Sequence, residues 1–402
     1  MTQSLKKNSL ITLSGQLFKT AFQGLAFIII ARTLGATDFG ILISILALCS
    51  IISPFVDFGS YHLIIKRISQ GEKFSLVANE SILLLAIVAP LFIVLLSVLT
   101  IALYGYSIYL IIIVGLTALF SDKLLSLFIA LNVARDTFKV IAYTETFVSG
   151  LRLLFSLILL YLDGGVTAWA SLLCLHGIIT TFVVFFLLKR DMKFTLAQKP
   201  TKKLVKDGMP FVWSQVGLNA NQDFDKLFLT KISGAEVAGI YAAAMRVLNL
   251  AVIPLQSFYM AAYSRYFKAA TNGTDGFKHA LSLLFPSAII GLITATIIYL
   301  VAPYVPYLLG DEYEATVELI QLAALLPIIQ TLSTPFADTL SGYGKQKLRV
   351  YILFAALILN VILNIQLIPA YGAYGALVAS ILSQTLFFFG CFGFTLRSSK
   401  WK

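Results

Sequence analysis

Apolar residues form twelve long stretches along the chain, separated by short polar connections. A membrane-spanning helix needs about 20 mostly apolar residues, and the stretches are of that order. Because backbone groups in lipid must be hydrogen-bonded within their own segment, each stretch is predicted to be a helix. The predicted spans are residues 9–33, 38–63, 79–104, 107–132, 139–162, 166–189, 208–231, 236–264, 279–304, 314–340, 347–368 and 373–396.

Basic residues are concentrated on alternate connections. Most of the 30 Lys and Arg lie before the first stretch or after an even-numbered one, for example Lys66, Arg67, Lys189, Arg190, Lys345 and Arg349. Connections rich in Lys and Arg stay on the cytoplasmic side of a membrane. The pattern therefore predicts an even number of spans with both termini in the cytoplasm.

The chain also contains an internal repeat. Leu34-Gly35-Ala36-Thr37-Asp38-Phe39-Gly40-Ile41 corresponds to Ser233-Gly234-Ala235-Glu236-Val237-Ala238-Gly239-Ile240 at an offset of 199 residues. The same offset places the polar residues Gln16, Thr20 and Gln23 on Gln215, Asn219 and Gln222. Chance is the weaker explanation, since two separate patterns share one offset. We therefore expect an all-α membrane protein with two pseudo-symmetric six-helix bundles, residues 1–199 and 200–402, around a central cavity.

Composition supports a membrane protein and argues against several other classes. The chain is 59% hydrophobic and 12% charged, whereas soluble domains average about 25% charged residues. The net charge of +11 is explained by the basic cytoplasmic connections and by attraction to anionic lipid, so no nucleic-acid partner is expected. The three cysteines lie in apolar stretches without metal-ligand spacing, and neither a metal nor a cofactor is expected.

Polar side chains inside two of the stretches are candidates for a binding site. Ionisable groups at membrane depth normally face a protein interior or a watery cavity. The first and seventh stretches are related by the repeat, so their polar faces are expected to line one cavity between the bundles, where such transporters place substrate. The residues on these faces are Gln16, Lys19, Thr20 and Gln23, and Gln215, Asn219, Gln222 and Lys226.

Individual charges allow more than one interpretation. Lys123 is expected to pair with its neighbour Asp122. Asp223 and Lys226 lie three residues apart on one helix, so a pair between them is an alternative to a role in the site. Arg152 either pairs with Glu145, two turns away on the same face, or binds substrate. Arg246 has no acidic residue within a turn, which makes it the stronger anion-binding candidate. The preferred anion-binding residues are therefore Lys19, Arg152 and Arg246.

Short motifs resemble a known family. The first stretch ends with Ala31-Arg32-Thr33-Leu34-Gly35, Asp38-Phe39-Gly40 follows, and Gly372, Gly375 and Ala376 form a Gly-x-x-Gly-Ala run. With Asn8 and the twelve-span layout, these features resemble the polysaccharide-transport branch of the multidrug/oligosaccharidyl-lipid/polysaccharide exporter superfamily. The resemblance covers essentially the whole chain. It supplies no binding residue, because the motifs are mainly structural.

The resemblance implies a flippase of the bacterial inner membrane that works by alternating access. Its substrate would be an undecaprenyl-diphosphate-linked oligosaccharide of the O-antigen type. Membrane lipid surrounds such a protein, and glycan polymerases and glycosyltransferases of the same pathway are its expected partners. A monomer is the expected functional unit.

Two alternative functions were weighed against the flippase. A multidrug cation antiporter of the same superfamily would require acidic residues in its cavity. The energy source is open between the membrane potential and coupling to protons or sodium, for which the candidate carboxylates are Asp122, Glu145, Asp223 and Asp225. A membrane enzyme such as a glycan polymerase or ligase is disfavoured, because the external loops are short and no GxSxG, Walker or HExxH motif occurs.

Overall fold

The computed structural model describes residues 2–191, 201–252 and 275–397, with side chains over 15–190, 201–252 and 275–397. Within these ranges the chain is helical and contains no β-strand. The chain divides into two compact units, Met1–Asp223 and Phe224–Lys402. The bundle boundary at residue 199, which was drawn from the sequence repeat, remains a prediction.

The first unit contains seven α-helices and most of an eighth. These are α1 Thr2–Asp57, α2 Ser60–Ser69, α3 Phe74–Tyr104, α4 Ile108–Gly115, α5 Asp122–Val133, α6 Phe138–Leu162, α7 Val166–Asp191 and α8 Lys202–Ser233, with a π-helix at Leu116–Ser121 that joins α4 to α5. Gly35, at φ 70° and ψ 174°, interrupts α1. Because this backbone geometry cannot continue a helix, Gly35 divides α1 into two helical segments. These segments correspond to the first two predicted spans.

The second unit begins near the end of α8. Its helices are α9, described over Ala235–Val252, and α10 Gly276–Val301, α11 Val305–Leu309, α12 Thr316–Ala323, α13 Leu325–Gly342 and α14 Gln346–Leu396, with 3₁₀ turns at Ala302–Tyr304 and Asp311–Tyr313. Gly372, at φ 54° and ψ −130°, divides α14 as Gly35 divides α1. The predicted eighth span, 236–264, extends beyond Val252 into residues outside the described ranges.

The prediction of twelve spans is confirmed. Nine helical segments of the described chain are long and apolar enough to cross a membrane. Two of them, Gly15–Ser69 and Gln346–Leu396, are divided by the non-helical glycines and hold two spans each. Helix α8 has the length, at 32 residues, but is too polar to be counted with the nine. Large apolar side chains such as Phe182, Phe285 and Leu91 are exposed on the helices, as expected for surfaces in contact with lipid.

The repeat is visible in the backbone of the two units. Gly35 and its counterpart Gly234 both have positive φ, at 70° and 95°. In the first unit, the Asp38 carboxylate accepts a 2.8 Å hydrogen bond from Val166 N at the start of α7. In the second unit, a Cβ built on Gly372 would lie 3.9 Å from the Ser233 and Val237 side chains. In each unit, the connection between the first two spans therefore packs against the connection between the last two spans, which supports the inferred duplication.

Candidate functional site

The Lys19 side chain on α1 forms an ion pair with Glu145 on α6. Lys19 Nζ lies 2.6 Å from Glu145 Oε1, with side-chain exposures of 26% and 18%. The alternative pairing of Glu145 with Arg152 was wrong. Residues seven apart are separated by about 10 Å along a helix, whereas the neighbouring helix places an ammonium group at the height of the carboxylate. Lys19 was also predicted as an anion-binding residue, and that role has to compete with this pair.

Lys123 on α5 pairs with Asp57 at the end of α1. The Nζ–Oδ2 distance is 3.2 Å, and the side chains are 17% and 5% exposed. Asp57 also accepts a 3.1 Å hydrogen bond from Gly59 N, within the turn between α1 and α2. The predicted pair of Lys123 with Asp122 was wrong, because adjacent residues of a helix point in different directions.

Asp122 and Arg152 form a second, looser electrostatic group. The positive charges of Arg152 and Lys123 act on the Asp122 carboxylate. Within the described side chains, neither Asp122 nor Arg152 has an ion pair within 4.0 Å, and Asp122 is exposed. Asp122 directly follows the π-helix Leu116–Ser121, a rare geometry that is frequent at functional sites. Neither charge is therefore committed to a close ion pair with another described side chain.

The polar face of α8 is partly used for helix packing. Gln215 Nε2 donates to Asn219 Oδ1 at 2.8 Å. Asn219 Nδ2 donates to the backbone carbonyl of Ser50 on α1, and the Ser50 hydroxyl donates to the Asp223 carboxylate. Gln222 is exposed and Lys226 half-buried, each with further contacts. Ser50 was not identified from the sequence, because a serine within an apolar stretch carries no distinctive signal.

The polar residues of the first helix lie around Lys19. Gln16 is exposed and Gln23 half-buried. The Thr20 hydroxyl donates a 2.9 Å hydrogen bond to the backbone carbonyl of Gln16, one turn earlier in the same helix. Their shared face is as predicted from the spacing, while a common cavity with the α8 residues remains a prediction.

The second unit contains a buried group of polar side chains around Asp225. The hydroxyl of Tyr241 on α9 donates to Asp225 Oδ2, and Lys226 N donates to Oδ1 at 2.8 Å. The Ser380 side chain lies near the Tyr241 hydroxyl. Arg246, which lies on α9 five residues beyond Tyr241, is exposed and has contacts of its own.

Two asparagines of α14 extend this group. Asn360 Nδ2 lies 3.4 Å from the hydroxyls of both Ser380 and Ser383, and Asn364 Nδ2 donates to Asn360 Oδ1 at 2.9 Å. Asn364 Oδ1 is buried without a hydrogen-bond partner among the described atoms. Sequence reasoning missed these asparagines, although two amides four residues apart in an apolar stretch would have identified them. In the described part of the chain, no group of three or more His, Cys, Asp or Glu could hold a metal ion.

The fold matches that of a solved multi-pass membrane transporter. The structure superimposes on the inward-facing conformation of a multidrug resistance MATE family transporter of the MOP superfamily with a TM-score of 0.75. The match covers 97% of this chain and 98% of the other at 16% sequence identity.

Sequence comparison then gives the family. Residues 5–269 match the family model described as Polysaccharide biosynthesis protein, and the chain belongs to this family. Residues 210–365 also match the MatE model. The suspected membership of the superfamily's polysaccharide-transport branch is confirmed.

Two relatives align with nearly the whole chain. An uncharacterized membrane protein of Methanocaldococcus jannaschii is 23% identical, with 97% of each chain covered. A Shigella dysenteriae protein named "Putative O-antigen transporter" is also 23% identical, over 88% of this chain and 91% of its own.

Proposed function

We propose that the protein is a flippase for undecaprenyl-diphosphate-linked oligosaccharide, the unit of an O-antigen or related surface polysaccharide. It would act by alternating access in a bacterial inner membrane, with both termini in the cytoplasm. Membership of the polysaccharide biosynthesis family carries this proposal. The relative named for O-antigen transport adds support.

The chemistry of this substrate matches the side chains of the candidate site. A diphosphate and several sugars have to cross about 30 Å of hydrocarbon. Cationic side chains in a cavity would bind the diphosphate. Of the candidate cations Lys19, Lys123 and Arg152, only Arg152 has no ion pair within 4.0 Å among the described side chains. Arg152 and Arg246 are therefore the principal diphosphate partners in this proposal, with Lys19 and Lys226 in supporting roles.

Amide side chains would bind the sugar hydroxyl groups without selecting one sugar. Gln16, Gln23 and Gln222 are at least partly exposed and suit this role. Asn219 is already hydrogen-bonded to Gln215 and Ser50, so its part would be to shape the site. The polyprenyl tail would remain in lipid while the head group crosses. Glycosyltransferases and a glycan polymerase would supply and consume the unit, and a monomer would suffice for transport.

Arginine substitutions test the proposal in a strain that lacks its own flippase. Arg152→Ala and Arg246→Ala, singly and together, should reduce surface glycan and cause the lipid-linked unit to accumulate at the cytoplasmic face. Arg152→Lys should retain part of the activity because it keeps the charge. Arg397→Ala, at an exposed arginine near the end of the described chain, is the matched control. Normal glycan in all variants, at equal protein level, would contradict the assigned roles.

A multidrug cation antiporter is the second candidate. The MatE match over residues 210–365 favours it, as do the acidic residues Asp223 and Asp225 of α8. Deletion of the gene separates the two functions. Raised drug sensitivity with unaltered surface glycan would support the antiporter, and loss of glycan with unaltered drug sensitivity would support the flippase. Neither outcome requires an enzymatic activity.

Ion coupling is assigned in this proposal to Asp225 in preference to the other three carboxylates. Glu145 is neutralised by Lys19 and Asp223 is bonded to Ser50, while Asp122 is retained as a second candidate. Asp225 is buried and accepts from the Tyr241 hydroxyl and from Lys226 N, and its carboxylate oxygens suit a proton or sodium ion. Asp225→Asn should abolish the dependence of transport on an ion gradient in vesicles. Asp163→Asn is the control, because this exposed loop residue has φ 47°, a conformation that asparagine tolerates.

A further inference from the structure

The first turns of α8 have a tight contact with the turn between α1 and α2. A Cβ built on Gly208 would lie 1.9 Å from the carbonyl oxygen of Phe58. Gly59, at φ 66°, faces Phe211, whose Cβ would lie 2.8 Å from an added Cβ. Only glycine fits at both positions, so the two backbones meet there with no space between them. This contact fixes α8 at one point.

A proline follows this fixed point by two residues. Pro210 lies inside α8, where it has no N–H to donate to the carbonyl of Lys206. Its ring also disfavours straight helix on its N-terminal side, so prolines are common sites of helix bending. Residues 201–209, which we call the strap, are therefore less firmly joined to α8 than an ordinary helical turn would be.

The free end of the strap is held by a polar clamp. Glu80 on α3 accepts hydrogen bonds from Thr201 N at 3.0 Å and Thr201 Oγ1 at 2.9 Å. The other Glu80 oxygen lies 2.8 Å from an Arg67 nitrogen on α2, and Arg67 also binds Glu72. The Glu80 side chain is only 4% exposed, so these partners take the place of water around its carboxylate. Thr201 Oγ1 in turn accepts from Leu204 N at 3.2 Å and caps the helix.

Packing beneath the strap is incomplete. Leu204 contacts Leu63 and Leu84, but a cavity of about 290 Å³ lies beside these contacts. Lys66, Leu76, Lys203 and Asp207 contribute to its lining. A cavity lacks the dispersion contacts of filled packing, so the strap is held by the buried Leu204 and, at its free end, by the clamp.

We propose that residues 201–209 form a hinged strap that pivots near Gly208 and Pro210 and must leave the Glu80 clamp in each transport cycle. This inference rests on the proposed transport function. The strap directly follows the connection between the two halves of the repeat. The Glu80 clamp stabilises the closed position of the strap. When the strap opens, Glu80 exchanges its hydrogen bonds with Thr201 for hydrogen bonds with water.

A reversible cross-link tests whether the strap moves. Cys49, Cys174 and Cys391 are replaced by alanine, and Glu80→Cys with Thr201→Cys is joined by a short, reducible thiol reagent in proteoliposomes. Transport of lipid-linked oligosaccharide should fall by about tenfold or more when linked and recover on reduction, as for other gating elements. Tyr109→Cys with Ser171→Cys is the control, since these exposed side chains form a 3.1 Å contact between α4 and α7. Full transport by the cross-linked strap would overturn the proposal.

A distance measurement separates the strap from the substrate assignment. Spin labels at Ser69→Cys and Lys203→Cys, both exposed, leave the clamp intact. Two distance populations are expected in lipid vesicles, and Glu80→Gln should increase the longer one. A single distance that Glu80→Gln does not change would overturn the strap. If the unlinked protein moves no oligosaccharide but shows both populations, the substrate assignment fails and the strap stands.

Discussion

The two units treat their buried polar groups differently. In the first, Lys19 pairs with Glu145 and Lys123 with Asp57, in each case between different helices. In the second, the Asp225 carboxylate is bonded to the Tyr241 hydroxyl, which continues to the serines and asparagines of α14. An ion pair, Asp338 with Arg349, also occurs there, near the turn between α13 and α14.

This difference separates structural charges from exchangeable ones. A buried ion pair holds two helices in register, and removal of either member leaves an uncompensated charge. Asp225 accepts from the Tyr241 hydroxyl and from the Lys226 backbone N–H, and a buried carboxylate that accepts such hydrogen bonds can also bind a mobile proton or cation. The first unit is therefore expected to lose stability on substitution, and the second to lose coupling.

The largest stability effect is expected at Lys123 and Asp57, the more buried pair. Lys123→Met leaves Asp57 without its cation and should lower the free energy of unfolding by about 3–5 kcal/mol, as for other broken buried pairs. The double variant Lys123→Met with Asp57→Asn should recover much of this loss. Denaturant unfolding in detergent micelles measures both. A double variant that costs as much as the two single changes added together would mean that the residues are not coupled.

A smaller effect is expected at Lys19 and Glu145, whose side chains are 26% and 18% exposed. Lys19→Ala should cost about 1–3 kcal/mol, between the ranges for surface and buried pairs. Reversal of the pair, with Lys19→Glu and Glu145→Lys, should restore stability if the contact is mainly structural. If the reversed protein is stable but the cells that express it display little surface glycan, Lys19 also binds substrate. Instability of the reversed protein would point to a specific requirement for the native orientation.

Tyr241 should have a modest effect on stability and a distinct effect on coupling. Tyr241→Phe removes one hydrogen bond to a buried carboxylate and should cost about 1–3 kcal/mol. It should also change the ion concentration at which transport is half-maximal, because Asp225 loses a donor. Leu229→Ala, at a buried apolar residue of the same helix as Asp225, serves as a destabilised control. An unchanged ion dependence in Tyr241→Phe would remove Tyr241 from the coupling group.

The smallest effect is expected outside the membrane, at Glu72. The hydrogen bond from Arg67 lowers the pKa of this carboxyl below its ordinary value. Its contribution to stability is therefore present above the ordinary pKa of glutamate and is lost as the pH falls through the lowered value. Carbon-13 NMR of the labelled carboxyl in Arg67→Gln should show the pKa rise toward the ordinary value. No difference between the two proteins would exclude Arg67 as the cause.

The sequence alone determined the fold and its duplication. Twelve apolar stretches, alternate basic connections and the glycines 35 and 234 were sufficient, because span length and backbone conformation are local properties. Helical spacing also identified the polar faces of α1 and α8. Sequence reasoning could select Lys19, Glu145 and Asp225 as notable residues in the same way, since a charge in an apolar stretch is conspicuous.

Only the tertiary structure decided which of these residues are partners. Glu145 faces Lys19, 126 positions away, and Asp57, at the end of α1, pairs with Lys123 on α5. Helical periodicity fixes the direction of a side chain but not which helix lies opposite. The neutral residues Ser50 and Tyr241 gain importance from the same cause, because contact with a carboxylate on another helix, and not residue type, gives them their role.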